Sequence, residues 1–173
     1  YIRLRRAATS MRAFDEAGYA RALVARNALD AGDLSFAADQ LRGNTLTHRE
    51  WMLLENERQR IRLLWNDFFR DHDFLLCPGA AVAAYPQNQH GPRWERLIDV
   101  DGEPFLDTLQ IFWMGFASLG CLPATQAPIA LTANGLPTSV QIIGSQFADL
   151  STIRFAQLIE RGYHAFTPPP GFA

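Results

Sequence analysis

The sequence predicts a helix-rich α/β fold with a small mixed β-sheet. Three observations carry this reading. Two short apolar runs, residues 124–131 and 138–143, flank an Asn134-Gly135 turn signal, the pattern of a β-hairpin. A third apolar run, residues 74–77, stops at Pro78-Gly79 and reads as a short buried strand. Around these runs apolar residues recur at spacings of three and four, the period of helices, and helices outweigh strands.

Composition bounds the answer. The chain has 173 residues, 48% of them apolar and 20% charged, so it can bury a core and is not a disordered polymer. One domain is expected, with residues 1–46 as a helical lead-in and residues 47–173 carrying the sheet. A formal net charge of −2 argues against a nucleic-acid partner. No apolar run approaches the roughly 18 residues of a membrane span, and no secretory leader is visible. Cys77 and Cys121 make no disulfide framework, which fits a reduced, cytoplasmic setting. The first residue is Tyr1, not Met, and it lies inside what reads as a helix. All 16 basic residues are arginine. A mechanism that needs a lysine amine therefore cannot run within these residues.

The elements follow in order. Leu4, Ala8, Met11 and Phe14 lie at helical spacing, and Tyr19, Leu23, Arg26 and Leu29 continue a second helical stretch. Arg3, Arg5, Arg6 and Arg12 form a basic run, but Asp15 and Glu16 interrupt it, so a solvated helix face outweighs a phosphate site. Gly32-Asp33 is a break, and residues 42–46 read as a loop. Thr47-His48-Arg49-Glu50 is a capping box that opens the longest helix, of about 24 residues or 36 Å. Trp51, Leu54, Ile61, Trp65 and Phe68 mark a buried stripe along it. His72, between Asp71 and Asp73, sits where a histidine favours a helix C-terminus. The Cys77 thiol has no evident base or helix N-terminus beside it and reads as inert.

Residues 80–94 are irregular, and the small residues Ala80, Ala81, Ala83 and Ala84 can line a pocket. Residues 96–100 read as a short strand and Asp101-Gly102 as a hairpin turn. Pro104 is a suitable first residue for the next helix, which is apolar nearly all round and so expected to be buried on most sides. On that helix Met114, Ala117 and Cys121 share a face, either core or the side of an apolar pocket. Residues 149–161 form an amphipathic helix with Leu150, Ile153, Leu158 and Ile159 inward. The Pro-rich segment from Phe166 to Ala173 reads as extended.

Self-contained chemistry is not legible. There is no GxSxG, no phosphate loop and no GxGxxG. The four histidines and two cysteines lie at no metal-like spacing. Neither a metal nor a cofactor is expected.

Read together and in order, several segments resemble the C-terminal part of the amidase signature family. HDFLLCPGAAVAA is similar to that family's D-x-L-L-x-P strand and small-residue loop. IDVDGEPF looks like the turn before a buried helix. LGCLPATQAPIALTANGLPTSVQIIG is similar to its G-L-P-x-G-x-Q strand and the corner before it, and FTPPPGF to its terminal P-P segment. The resemblance covers residues 48–172. Ser139 departs from it, standing where glycine is usual, and so does Ile129, which follows Gln126-Ala127-Pro128 where a glycine is common.

What the resemblance implies is an amide hydrolase with a Ser–cis-Ser–Lys triad, in which the lysine acts through the middle serine, the outer serine attacks the carbonyl and backbone N–H groups hold the oxyanion. That region is not in this chain, so no catalytic residue is assigned. The expectation is a single partial domain that completes a sheet and closes a substrate pocket. On this reading Trp113, Met114, Ala117 and Cys121 face the acyl or leaving group of a small amide, with Pro78, Gly79, Ala80 and Ala81 at the pocket mouth. The isolated chain should be inactive. Its apolar surface should self-associate or meet the missing N-terminal part. The rival reading is a non-catalytic interaction module, such as a piece of an amidotransferase-type subunit.

Overall fold

Side-chain caps set the helix ends at the start of the chain. In a computed structural model describing residues 1–10, 14–169 and 171, helix α1 spans Ile2–Ala7, α2 Glu16–Asn27 and α3 Phe36–Asn44. The Asp15 carboxylate accepts from the Gly18 N–H at 2.6 Å and opens α2; the Ser35 hydroxyl accepts from the Ala38 N–H at 3.1 Å and opens α3. Residues 42–44, expected in a loop, are instead the last turn of α3. Arg42 secures that turn by donating to the carbonyls of Asp30 and Asp33, and a helix fixed at both ends persists where propensity alone is neutral. Leu29 lies past the end of α2. Met11 and Arg12, part of the expected helical and basic pattern, fall outside the described residues.

α1 packs on α3 through Gly43, where a Cβ would stand 2.8 Å from the Cα and carbonyl oxygen of Arg3. Arg3 pairs with Asp39 at 2.7 Å, so it is not merely a solvated charge.

Helix α4, His48–Asp71, has the 24 residues expected. Its capping box forms: the Glu50 N–H donates to the Thr47 hydroxyl at 3.2 Å, and the Thr47 N–H to the Glu50 carboxylate at 2.8 Å. The expected buried stripe is only half-buried, since no residue of α4 is fully enclosed. Charge pairs three residues apart support the helix, Glu57–Arg60 and Asp67–Arg70 in solvent and Glu55–Arg58 half-buried. The chain divides within α4 into two units, Tyr1–Ile61 and Arg62–Ala173.

In the second unit β1 (Phe74–Pro78) leads into an irregular segment, then a hairpin of β2 (Leu97–Val100) and β3 (Glu103–Leu106). Asp101 and Gly102 hold φ of 55° and 88°, the paired left-handed conformations of a two-residue hairpin turn. That turn pins Pro104 into β3, opposite Asp99, so it does not open the next helix. A 3-10 turn over Asp107–Gln110 intervenes, and α5 runs Ile111–Gly120. Helix α5 is less enclosed than its composition suggests. Gly115, Ala117 and Gly120 are buried, but Phe112 is 60% exposed. A ten-residue helix packed along its small residues leaves its large ones on the open side.

The anticipated hairpin forms as β4 (Ala124–Leu131) and β5 (Pro137–Gly144), with Gly135 at φ 77° in the turn. β1 pairs with the other side of β5, giving the order β1-β5-β4. Both pairings are antiparallel, so the sheet is not mixed. The tight β4–β5 turn dictates one of them, and β1 runs along β5 in the opposite sense. The β4–β5 register shifts between Pro128 and Ala130, a bulge next to a residue that cannot donate to a ladder.

Ile142 and Ile143, near the C-terminal end of β5, are fully enclosed. Helix α6, Asp149–Gly162, lies against one face of the sheet. Its inward residues are not Leu150, Ile153 and Leu158, which are exposed. The contact is made by Thr152, whose hydroxyl meets that of Thr125 at 2.8 Å, and by Phe155, stacked on Phe74 at 4.8 Å. Gly144 permits the approach, since a Cβ there would stand 2.7 Å from the Thr152 methyl. After α6, residues 164–169 have no regular structure. Pro170, Phe172 and Ala173 lie outside the described residues.

Candidate functional site

The face of the sheet away from α6 carries a polar row. Cys77 of β1 and Gln126 of β4 are both register partners of Gln141 on β5, and side chains opposite one another share a face. The row is hydrogen-bonded throughout. The Ser139 hydroxyl donates to Gln126 Oε1 at 3.1 Å. Gln126 Nε2 donates to Gln141 Oε1 at 3.4 Å. Gln141 Nε2 donates to Cys77 Sγ at 3.2 Å and to the Trp113 carbonyl oxygen of α5 at 3.1 Å. Gln141 is 4% exposed, so these bonds satisfy an amide with almost no access to water.

Two glutamine side chains lie against the segment after β1. Gly79 stands against Gln126: a Cβ there would lie 2.7 Å from the Gln126 amide nitrogen. The Ala81 N–H donates to Gln110 Oε1, just before α5, at 3.1 Å. Beyond it, Val82, Ala83 and Ala84 line a cleft of about 470 Å³ with Ile98 and Leu136 among its other walls. Tyr85 donates to the Asp107 carboxylate at 2.5 Å, and that hydrogen bond, before burial, pushes the phenol pKa above its usual value.

The site residues read from sequence are therefore placed unequally. Trp113 joins the glutamine row through its carbonyl, Ala81 is held by Gln110, and Gly79 packs against Gln126. Ala117 is buried. Met114 is 46% exposed. Cys121 is exposed too, sitting beyond the helix in the left-handed conformation, φ 54°. There the Leu122 N–H closes the helix end on the Ala117 carbonyl at 3.0 Å. Pro78 and Ala80 are exposed around the half-buried Gly79. Gln110, Gln126 and Gln141 were not singled out by sequence reasoning. The signal available was a lone glutamine in each of two apolar strands, on a face expected to be buried.

His72 is stacked on Phe68, with ring centroids 4.3 Å apart, and its Nδ1 lies 3.1 Å from the Phe68 carbonyl oxygen. It has a structural role at the end of α4. Among the described residues no group of three His, Cys, Asp or Glu is placed to hold a metal ion, and no helix is long and apolar enough to cross a membrane.

Comparison with known proteins identifies the family. The Amidase family model matches residues 15–153. The A subunit of glutamyl-tRNA(Gln) amidotransferase in Treponema pallidum (strain Nichols) is 31% identical over 107 residues, 62% of this chain and 19% of that protein. The same A subunit in Orientia tsutsugamushi (strain Boryong) is 34% identical over 116 residues, 64% of this chain and 21% of that protein. The chain thus spans about a fifth of the length of these curated relatives. The crystal structure of the glutamyl-tRNA(Gln) amidotransferase A subunit from Thermotoga maritima superposes with a TM-score of 0.56 at 22% identity, covering 98% of this chain and 37% of that one, which shows a shared fold. Matched by the family model over most of its length, the chain belongs to the amidase signature family.

Proposed function

We propose that this chain contributes the pocket-closing part of an amide hydrolase that converts a carboxylic amide to the acid and ammonia or an amine. The observation that carries the reading is the row Cys77–Gln141–Gln126. It ties the sheet to the Trp113 carbonyl on α5, while Gln110 holds the segment after β1 through the Ala81 N–H and Gln126 packs against Gly79. Gln126 is exposed and presents a neutral carboxamide suited to a neutral amide substrate, and the buried Gln141 fixes it from behind. Trp113, Met114, Ala117 and Cys121 face the acyl or leaving group, and Pro78, Gly79, Ala80 and Ala81 lie at the mouth. The Ser–cis-Ser–Lys groups that perform the chemistry belong to residues outside these 173, so the isolated chain is inactive. The setting is cytoplasmic.

The test is substrate preference in the full-length gene product. Ala117→Phe adds a ring at this buried position and should change the kcat/KM ratio of a bulky to a small amide by about tenfold or more. An unchanged ratio would reject the assignment of Ala117.

A second reading is a subunit piece of an amidotransferase-type assembly. The names of the relatives favour it. The apolar side chains Phe112, Phe147, Leu150 and Leu158 are exposed. On either reading these side chains meet other protein, the chain's own copy or the catalytic part. Sedimentation of the isolated chain distinguishes the two: a defined dimer favours the subunit reading, and open-ended association favours a surface meant for the catalytic part.

A further inference from the structure

Ser139 stands where glycine is usual in the family, and its hydroxyl takes no part in joining the sheet to α5. It lies at the open end of the polar row, and that row has a fixed direction. The Trp113 carbonyl oxygen can only accept, so the Gln141 nitrogen must face it. The same nitrogen donates to Cys77 Sγ, which commits both of its N–H groups. The Gln141 oxygen is left toward Gln126, where it needs a donor. Gln126 therefore turns Nε2 to Gln141 and Oε1 to Ser139, and the Ser139 proton goes to that oxygen.

One backbone carbonyl thus dictates the state of a hydroxyl three side chains away. With its proton committed, Ser139 Oγ has only acceptor capacity left. Among the described residues nothing donates to it. Ser139 and Gln126 are exposed, whereas Gln141 is buried, so the row runs from a closed end to an open one. What the open end offers is a neutral acceptor of fixed position. Its complement is a neutral donor, and the N–H of a carboxamide is one. An ester of the same acid has none.

We propose that Ser139 is a specificity-determining residue, its oxygen accepting the N–H on the nitrogen of a primary or secondary amide substrate. Gln126 is a positioning residue that takes the Ser139 proton and so keeps the oxygen an acceptor. This rests on the amide-hydrolase reading and names the substrates it favours, amides that carry an N–H. Without Ser139 the next acceptor in the row is Gln126 Oε1, 3.1 Å away, and an N–H placed for Ser139 misses it.

The probes are phenylacetamide and methyl phenylacetate, which share an acyl group and differ in the N–H. In the full-length gene product, Ser139→Ala should lower the amide-to-ester ratio of kcat/KM by about fivefold or more. The loss should fall mainly on the amide KM, because the N–H is held in the ground state as well as the transition state. Ser139→Thr keeps a hydroxyl on a side chain suited to a strand and should hold the ratio within about twofold of wild type. Circular dichroism establishes that each variant is folded, and ester turnover in the same variant is the reference for the ratio. Turnover with a ratio unmoved by Ser139→Ala, or lowered as much by Ser139→Thr, overturns this inference alone. Hydrolysis of neither probe by the wild type removes the amide-hydrolase reading and this inference with it.

Discussion

Gln141 Nε2 reaches the Trp113 carbonyl oxygen at 3.1 Å, joining the central strand of the sheet to the helix that precedes the β4–β5 hairpin. The same nitrogen meets Cys77 Sγ, so one buried amide fastens β1, β5 and α5 together. Gln141→Leu keeps the approximate volume and deletes the donors. It should destabilise the second unit by about 1–3 kcal/mol, because the Trp113 carbonyl and the Gln126 amide both lose their partner. In a Cys121→Ser background, Cys77 should also react faster with a thiol reagent, since its strand is held less firmly. Thermal unfolding and the rate of thiol labelling check this; an unchanged midpoint and rate would contradict it.

Gly144 and Gly79 should respond differently to the same added methyl. At Gly144 the new Cβ meets the Thr152 methyl at 2.7 Å inside a packed face, and Gly144→Ala should cost about 1–3 kcal/mol. Thr152→Ser removes that methyl and keeps the hydroxyl contact with Thr125, so the double variant should recover most of the loss. At Gly79 the clash is with the tip of Gln126, which can swing aside. Gly79→Ala should therefore cost less than Gly144→Ala in the same denaturation assay, while displacing the glutamine row.

Cys121 occupies the left-handed region at the end of α5, a position that suits glycine. Cys121→Gly should raise stability by up to about 1 kcal/mol, because the strain relieved outweighs the added freedom of the unfolded chain. A lower melting temperature would show that the thiol packs more tightly than its exposure implies.

Glu50 closes the capping box of α4, and the Thr47 N–H holds its pKa below the ordinary value of 4.5, with Thr47's hydroxyl and Arg26 adding to the effect. A carboxyl with a lowered folded pKa contributes stability that is fully present above 4.5 and is lost as pH falls through the folded value. Glu50→Gln should therefore flatten the fall in stability below that pH, and Thr47→Ala should cost about 1 kcal/mol at neutral pH. Melting temperature measured from pH 7 to pH 3 separates the two effects.

The sequence was most informative where structure is local. Asn134-Gly135, Asp101-Gly102 and the Thr47–Glu50 box each name their own geometry within a few residues, and all three form. The sheet order was not legible, because Cys77 meets Gln141 across 64 positions and no turn signal reaches that far. Pro104 was misread because its fixed φ suits a strand edge as well as a helix start; the partner strand decided. The inward face of α6 was misread because hydrophobicity pointed to Leu150 and Leu158. Gly144 admits Thr152 more closely than any leucine could come. The glutamine row escaped notice for a related reason: a lone polar residue in an apolar strand announces a partner without naming it.

The central claim is that this chain forms part of a pocket and does not itself carry the reacting groups. Its most direct test is turnover of simple carboxylic amides, followed as released ammonia, by the purified 173-residue chain free of any longer form. The account predicts no release above the rate in buffer. Sustained turnover that scales with the concentration of the chain would contradict it.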